Sequence, residues 1–248
     1  VAKSVKGLVM KSQHLYEESW RAQREREAEA SSSRGHGVRL KQLLSVSRYD
    51  VATELVCALR PQGGRFADVG FGRGEMIRRL AVRFDRLSGI DVATTEIEHF
   101  RRSLTPEEAM KMDLQCVDLD GEWPLDDASC DVVACLAVLE HLFDPYATAQ
   151  RLARLLRPGG LLVIEVPNIA YLKYRISLLF GVFPKTSGDP VGWDGGHLHY
   201  FTRNSLIELF AGFRCHPVAI RGTGFLGRMR SAWPSLLTSD LVVAFEKQ

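Results

Sequence analysis

The 248-residue chain carries 46% apolar and 25% charged residues, with 32 basic side chains against 30 acidic ones. That balance excludes an intrinsically disordered chain, which would be poorer in apolar residues and more one-sided in charge. No apolar run reaches the ~20 residues of a membrane-spanning helix. Residues 1–11 lack the apolar block of a secretory signal, so a cytoplasmic protein without membrane contact is expected.

Residues 8–30 read as a polar helix whose Leu8, Leu15, Tyr16 and Trp20 fall on one face, so it should dock on something. Ser31-Ser32-Ser33-Arg34-Gly35-His36-Gly37 reads as a flexible loop. A second helix is expected over about residues 39–59, with Leu40, Leu43, Leu44, Val51, Leu55 and Leu59 at helical spacing, ended by Pro61-Gln62-Gly63-Gly64. Residues 1–60 are therefore read as a helical extension, and 61–248 as the main domain.

From Arg65 the rhythm becomes strand–helix alternation. Strands are expected at Phe66–Gly70, Leu87–Asp91, Leu114–Asp118, Cys130–Leu136 and Leu161–Val166. Helices are expected at Glu75–Phe84, Thr94–Ser103 and about 145–156. Residues 168–200 interrupt the alternation as an aromatic-rich insertion. Thr202 is placed to cap a helix over 203–211, and His216–Arg221 and Leu241–Glu246 read as final strands. The pattern predicts an α/β fold: a Rossmann-like, seven-stranded, mostly parallel sheet with helices on both faces. The last strand is expected antiparallel, with a small cap after the fifth. Cys57, Cys116, Cys130, Cys135 and Cys215 include no C-x-x-C pair, which argues for reduced thiols over disulfides or a zinc site.

The strongest motif is Asp68-Val69-Gly70-Phe71-Gly72-Arg73-Gly74, a buried strand running into an acid, three alternate glycines and a helix. Glycines allow a tight turn and let a ligand approach the backbone, and the helix start beyond supplies N–H donors. Asp68 at the strand end suits an ammonium rather than a phosphate. Asp91 ends the next strand, placed for both hydroxyls of a ribose, and Asp118 follows the third, able to receive an adenine amine. Gly70, Gly72, Gly74, Val92, Leu119 and Leu136 complete the expected cofactor-binding set with these three aspartates. Gly222-Thr223-Gly224-Phe225-Leu226-Gly227 also matches G-x-G-x-x-G. With 21 residues left there is no room for the βαβ unit a dinucleotide needs, so it reads as a flexible loop.

With Asp91 and Asp118 in order, the run from Asp68 resembles the first motif of class I S-adenosylmethionine-dependent methyltransferases. Cys130–Leu142 resembles that family's fourth strand and following E-H-L turn, and Leu155–Ile164 its helix-to-fifth-strand segment. The resemblance covers residues 65–248 and implies the fold and S-adenosylmethionine as cofactor. Phe71 departs mildly from relatives with Cys or Ser there. The resemblance also implies that Arg48, twenty residues before Asp68, meets the cofactor's carboxylate, as an arginine does in ubiquinone-type relatives. Val166-Pro167-Asn168 and Gly196-His197-Leu198-His199-Tyr200-Phe201-Thr202 resemble bacterial small-molecule and sugar methyltransferases and the methionine-biosynthesis W-type proteins. No D/N-P-P-Y run follows the fourth strand, which weakens a nucleic-acid amine as acceptor. Ubiquinone-type enzymes show E-x-x-E-H there. Ala137-Val138-Leu139-Glu140-His141 lacks the first carboxylate, so no metal is assigned.

Methyl transfer from a sulfonium needs alignment, and a base only where the acceptor must lose a proton. His141 and His197 are the candidate catalytic residues, with His199 beside them, because histidine titrates near neutrality. Tyr171, Tyr174, Phe180, Phe183 and Trp193, interspersed with Lys173, Arg175 and Lys185, suit a planar or sugar-like acceptor with an anionic group. Residues 61–167 hold 12 basic and 18 acidic side chains, which argues against nucleic acid. The expected function is O-methylation of a small metabolite, a sugar or natural-product intermediate, with room for a homodimer. The alternatives are a catalytically weak regulatory protein of the W-type and an RNA methyltransferase.

Overall fold

The computed structural model describes residues 17, 21, 24, 45–60, 63–189, 192–225 and 227–248. Strand β1 (Ser45–Val46) and helix α1 (Arg48–Leu59) lead into β2 (Arg65–Val69), α2 (Glu75–Leu80), β3 (Arg86–Asp91), α3 (Thr94–Arg102), α4 (Pro106–Lys111) and β4 (Met112–Cys116). Then come β5 (Cys130–Leu136), α5 (Pro145–Leu155), β6 (Leu156–Pro167), α6 (Leu172–Leu179), α7 (Arg203–Ala211), β7 (Cys215–Gly222), β8 (Gly224–Phe225) and β9 (Asp240–Lys247).

Seven strands form one sheet in the order β4-β3-β2-β5-β6-β9-β7. The first five run parallel, and β9 runs antiparallel to both β6 and β7. Successive strand residues point to opposite faces, so one core holds Phe66, Val132, Ala134, Leu161 and Val163 with α1, α2 and α3. The other holds Ala67, Val133, Cys135, Leu162 and Ile164 with α5 and α7. The near-continuous apolar runs of β5 and β6 follow from burial on both faces. The fold is the Rossmann-like one the alternation implied.

Several boundaries differ from the sequence reading. The second helix starts at Arg48 rather than near 39, because Ser47 and Asp50 close a capping box at its N-terminus. Leu40, Leu43 and Leu44 lie outside the described residues. Helix α4 escaped the reading although its signals are local. Thr105 caps it, Pro106 opens it, and Glu108 completes a second capping box. The stretch read as a flexible loop after residue 222 instead forms β8, which pairs antiparallel with β1 (Ser45↔Phe225, Val46↔Gly224). Most of the expected 8–30 helix lies outside the described residues. Glu17, Arg21 and Arg24 are helical, Arg24 Nη2 lies 2.8 Å from Glu96 Oε1, and Thr95 Oγ1 donates to Glu17 over 3.5 Å.

The inserted segment leaves the sheet at Asn168, which is fully buried and forms a parallel bridge with Phe201. Asn168 Nδ2 donates to the carbonyls of Ser235 and Thr238, while its Oδ1 accepts from Ala170 N–H. Ile169 N–H donates to Phe201 O over 3.0 Å, closing the base of the cap. Among the described residues no helix is long and apolar enough to cross a membrane.

Candidate active site

The carboxyl ends of β2, β3, β5 and β6 open onto one side of the sheet, where an open α/β fold binds its ligand. Gly70, Gly72 and Gly74 all have left-handed backbones, with φ of 75°, 51° and 74°. A Cβ on Gly70 would strike the Val138 side chain, and one on Gly74 would strike the Phe100 ring. The glycine turn is thus wedged between the segment after β5 and helix α3, with α2 starting at Glu75 beyond it.

The three aspartates sit in different surroundings. Asp68 is buried, and no hydrogen bond or cation meets its carboxylate among the described residues. Burial pushes it up to about 8, and neighbouring Asp91 adds to the rise. A cation at this spot would restore its charge. Asp91 is buried but pinned: Oδ2 accepts from Gly72 N–H at 2.8 Å and Oδ1 from Ala93 N–H at 2.9 Å. Burial raises its pKa, and those backbone donors pull against the rise. A carboxylate offers about four lone-pair sites, so these two bonds leave acceptor capacity open to a ligand. Asp118 lies two residues past β4, half-buried, with Oδ1 accepting from Asp120 N–H at 3.1 Å. Val92, Leu119 and Leu136 lie at the same strand ends, the last two buried.

Beyond β5 the chain turns sharply at Ala137, whose φ of 55° is a left-handed conformation for a residue with a Cβ. Ala137 N–H donates to Glu165 O over 3.0 Å, and Leu139–His141 then forms one 3₁₀ turn. That turn delivers Glu140 and His141 to the top of the sheet. His197 arrives from the cap, held because Leu198 N–H and His199 N–H both donate to Glu140 O. The His141 and His197 rings meet edge-on with centroids 4.7 Å apart. One side-chain ligand atom from each of Glu140, His141 and His197 lies within 4.8 Å of the others.

The cluster is electrostatically tense. Glu140 and Glu165 are each 1% exposed, and neither Glu140 oxygen has a hydrogen bond among the described residues. Burial raises both carboxyls, Glu165 adding to the rise at Glu140 and Arg48 opposing it at Glu165. Arg48 Nη1 donates to Glu165 Oε2 at 2.9 Å, using one of its five donor hydrogens. Burial lowers His141 to about 4, His197 beside it adding to the fall, and burial also lowers His197. Both shifts favour the neutral ring, the form that can accept a proton. His199 lies to one side, its Nε2 at 3.2 Å from Phe143 O, where it anchors the returning chain.

Glu165, Thr186 and Asp194 were not assigned roles from sequence. An acid inside the apolar run Leu161–Val166 was the available signal for Glu165. Asp194 is almost fully buried and binds the backbone of Thr186 and Ser187, folding the cap onto His197. Helix α6 buries none of its residues, and Phe183 packs edge-on to Tyr200 with centroids 5.3 Å apart.

A Rossmann-like sheet with a left-handed glycine turn and an acid at or just past each of three successive strand ends has the architecture of a nucleoside-binding fold. A family described as a methyltransferase domain matches residues 67–164. The chain is similar to the ubiquinone biosynthesis O-methyltransferase of Idiomarina loihiensis, 29% identical over 66% of this chain and 66% of that one. It is 35% identical to that of Paracidovorax citrulli over 43% of this chain and 45% of the relative. The matches thus span from under half to about two thirds of those relatives. A Mesorhizobium loti S-adenosylmethionine-dependent methyltransferase structure shares the fold, with a TM-score of 0.60 at 17% identity over 80% of this chain and 100% of that one. Residues 67–164 thus carry a methyltransferase domain, set in a sheet with the fold of S-adenosylmethionine-dependent methyltransferases.

Proposed function

We propose that the protein transfers a methyl group from S-adenosylmethionine to a hydroxyl of a small metabolite. In this reading Asp68 takes the cofactor's ammonium, Asp91 its ribose and Asp118 its adenine amine. Gly70, Gly72 and Gly74 make room for it, flanked by Val92, Leu119 and Leu136. Arg48 meets its carboxylate with the donors Glu165 leaves over. The observation that carries the proposal is the neutral His141–His197 pair against buried Glu140, on the turn that abuts the glycine loop. A hydroxyl must shed its proton as the methyl carbon moves from sulfur to oxygen, and either ring can take it. The methyl leaves the sulfonium, whose bonding electron pair stays on sulfur. The O-methyltransferase relatives support oxygen as the methylated atom.

A second reading has one specific observation behind it. Two histidines and a carboxylate with ligand atoms within 4.8 Å match a divalent-metal donor set. A cation there would hold the acceptor oxygen and favour its alkoxide. Incubation with methyl-labelled cofactor and a metabolite extract tests the main reading. An O-methylated small product supports it. Label in RNA or on nitrogen, or no product, replaces it, the last favouring a regulatory protein of the W-type. Turnover abolished by chelator and restored by a divalent ion would select the metal form.

A further inference from the structure

Building on the reading that His197 serves the transfer, we propose that Thr186 and Asp194 are a positioning pair that locks His197 with its proton on Nδ1, leaving Nε2 bare toward Glu140. Asp194 Oδ2 accepts from Thr186 N–H at 3.0 Å and from Thr186 Oγ1 at 2.9 Å, and Oδ1 accepts from Ser187 N–H at 2.8 Å. Two backbone N–H groups and the Thr186 hydroxyl thus converge on the Asp194 carboxylate, and in every one of these contacts it is the acceptor. Thr186 has one hydroxyl proton, and Asp194 receives it. The His197 Nδ1 atom lies 2.7 Å from that same hydroxyl oxygen, which has only lone pairs left to offer. Nδ1 must then be the donor, and in a neutral ring Nε2 carries no hydrogen.

Two further distances agree. Nδ1 is 3.8 Å from Asp194 Oδ2, too far for a direct bond, so the orientation passes through the threonine. Nε2 is 4.0 Å from Glu140 Oε1, and that oxygen accepts no hydrogen bond among the described residues, as expected if Nε2 has no proton to give. The backbone is committed to this arrangement. Asp194 adopts φ of 48° within a run where Gly192, Gly195 and Gly196 are also left-handed. Nearly complete burial of its side chain gives that strained turn an evident task. A bare Nε2 is needed whether that nitrogen takes a proton or a cation.

The test is nitrogen-15 NMR of the full chain with labelled histidine, with S-adenosylhomocysteine bound. Wild-type His197 should show a protonated Nδ1 and an unprotonated Nε2. Thr186→Val should shift the ring toward the Nε2–H form that histidine prefers in water, and Thr186→Ser should restore the original signals. In turnover, Thr186→Val should lower kcat by roughly 10- to 100-fold, part of what a base supplies, with KM for the cofactor held. Wild-type His197 protonated on Nε2 would overturn the proposal, as would an unchanged tautomer in Thr186→Val. The wild-type spectrum decides even if that variant does not fold. These signals need no acceptor, so failure of hydroxyl methylation would remove the proposed reaction without touching the tautomer result.

Discussion

The two halves of the cleft are built in opposite ways. On the β2–β4 side, each of the three aspartates sits at or within two residues of a strand end, and the glycine turn binds Asp91 through its own backbone. On the β5–β6 side, the groups come from residues 140–141, 165, 186, 194 and 197, joined only when the cap folds back. The first half depends on local chain geometry, so it tolerates change elsewhere. The second depends on long-range closure, so changes in the cap reach the chemistry. Under the proposed assignment, the difference separates binding from turnover.

The largest expected effect lies in the second half. His197→Ala or His141→Ala should lower kcat by about 10²–10⁴-fold, the usual worth of a positioned base. Cofactor affinity measured by calorimetry should barely change. A matching loss of affinity would erase the distinction between the halves.

Next is the first half. Asp91→Ala should weaken S-adenosylmethionine by ~1.5–3 kcal/mol, the range for hydrogen bonds to a charged group. The variant should retain its fold by circular dichroism. Arg48→Ala sits between the halves and should reduce affinity for S-adenosylmethionine more than for adenosine. Equal losses would confine Arg48 to its pairing with Glu165.

Asp68 sharpens the comparison through pH. Its folded value of about 8 lies above the ordinary 3.8, so between those values the folded chain holds a proton that the unfolded chain has released. Its contribution to stability is therefore present at low pH and is lost as pH rises toward 8. Asp68→Asn should raise the unfolding midpoint at pH 8 relative to wild type and leave it unchanged near pH 3. Wild-type protein should release a proton on binding S-adenosylmethionine at pH 7, because the ammonium ionises Asp68. Calorimetry in buffers of differing ionisation enthalpy reads that proton, and the Asn variant should show none.

The smallest effect is a control outside both halves. Thr202 caps α7 by accepting from Ser205 N–H. Thr202→Ala should cost about 1 kcal/mol in denaturant unfolding and leave turnover at full stability unchanged.

The same division explains what could be read from the chain. The strand-end aspartates and glycines were legible because period-two burial and a tight turn write themselves into consecutive residues. The His141–His197 pair was legible as two candidates but not as a contact, since nothing local states that residues 56 apart converge. Glu165 stood out only as an acid in an apolar strand, and its pairing with Arg48 depends on α1 crossing β6. The β1–β8 pairing was hidden for a related reason. Its glycine-rich strand has little side-chain pattern to betray it, and its partner lies 178 residues earlier.

The bridge between Asn168 and Phe201 has a consequence for how such a chain can change over time. The cap departs from and returns to neighbouring points, so its ends are already joined before any of its interior is specified. Lengthening or exchanging residues between those points adds little closure entropy, which grows only slowly with loop length. The sheet and its nucleoside half would persist under such a graft. A replacement segment would still have to resupply His197 and the Thr186–Asp194 pair that contacts it, so only the residues around those three are open to exchange.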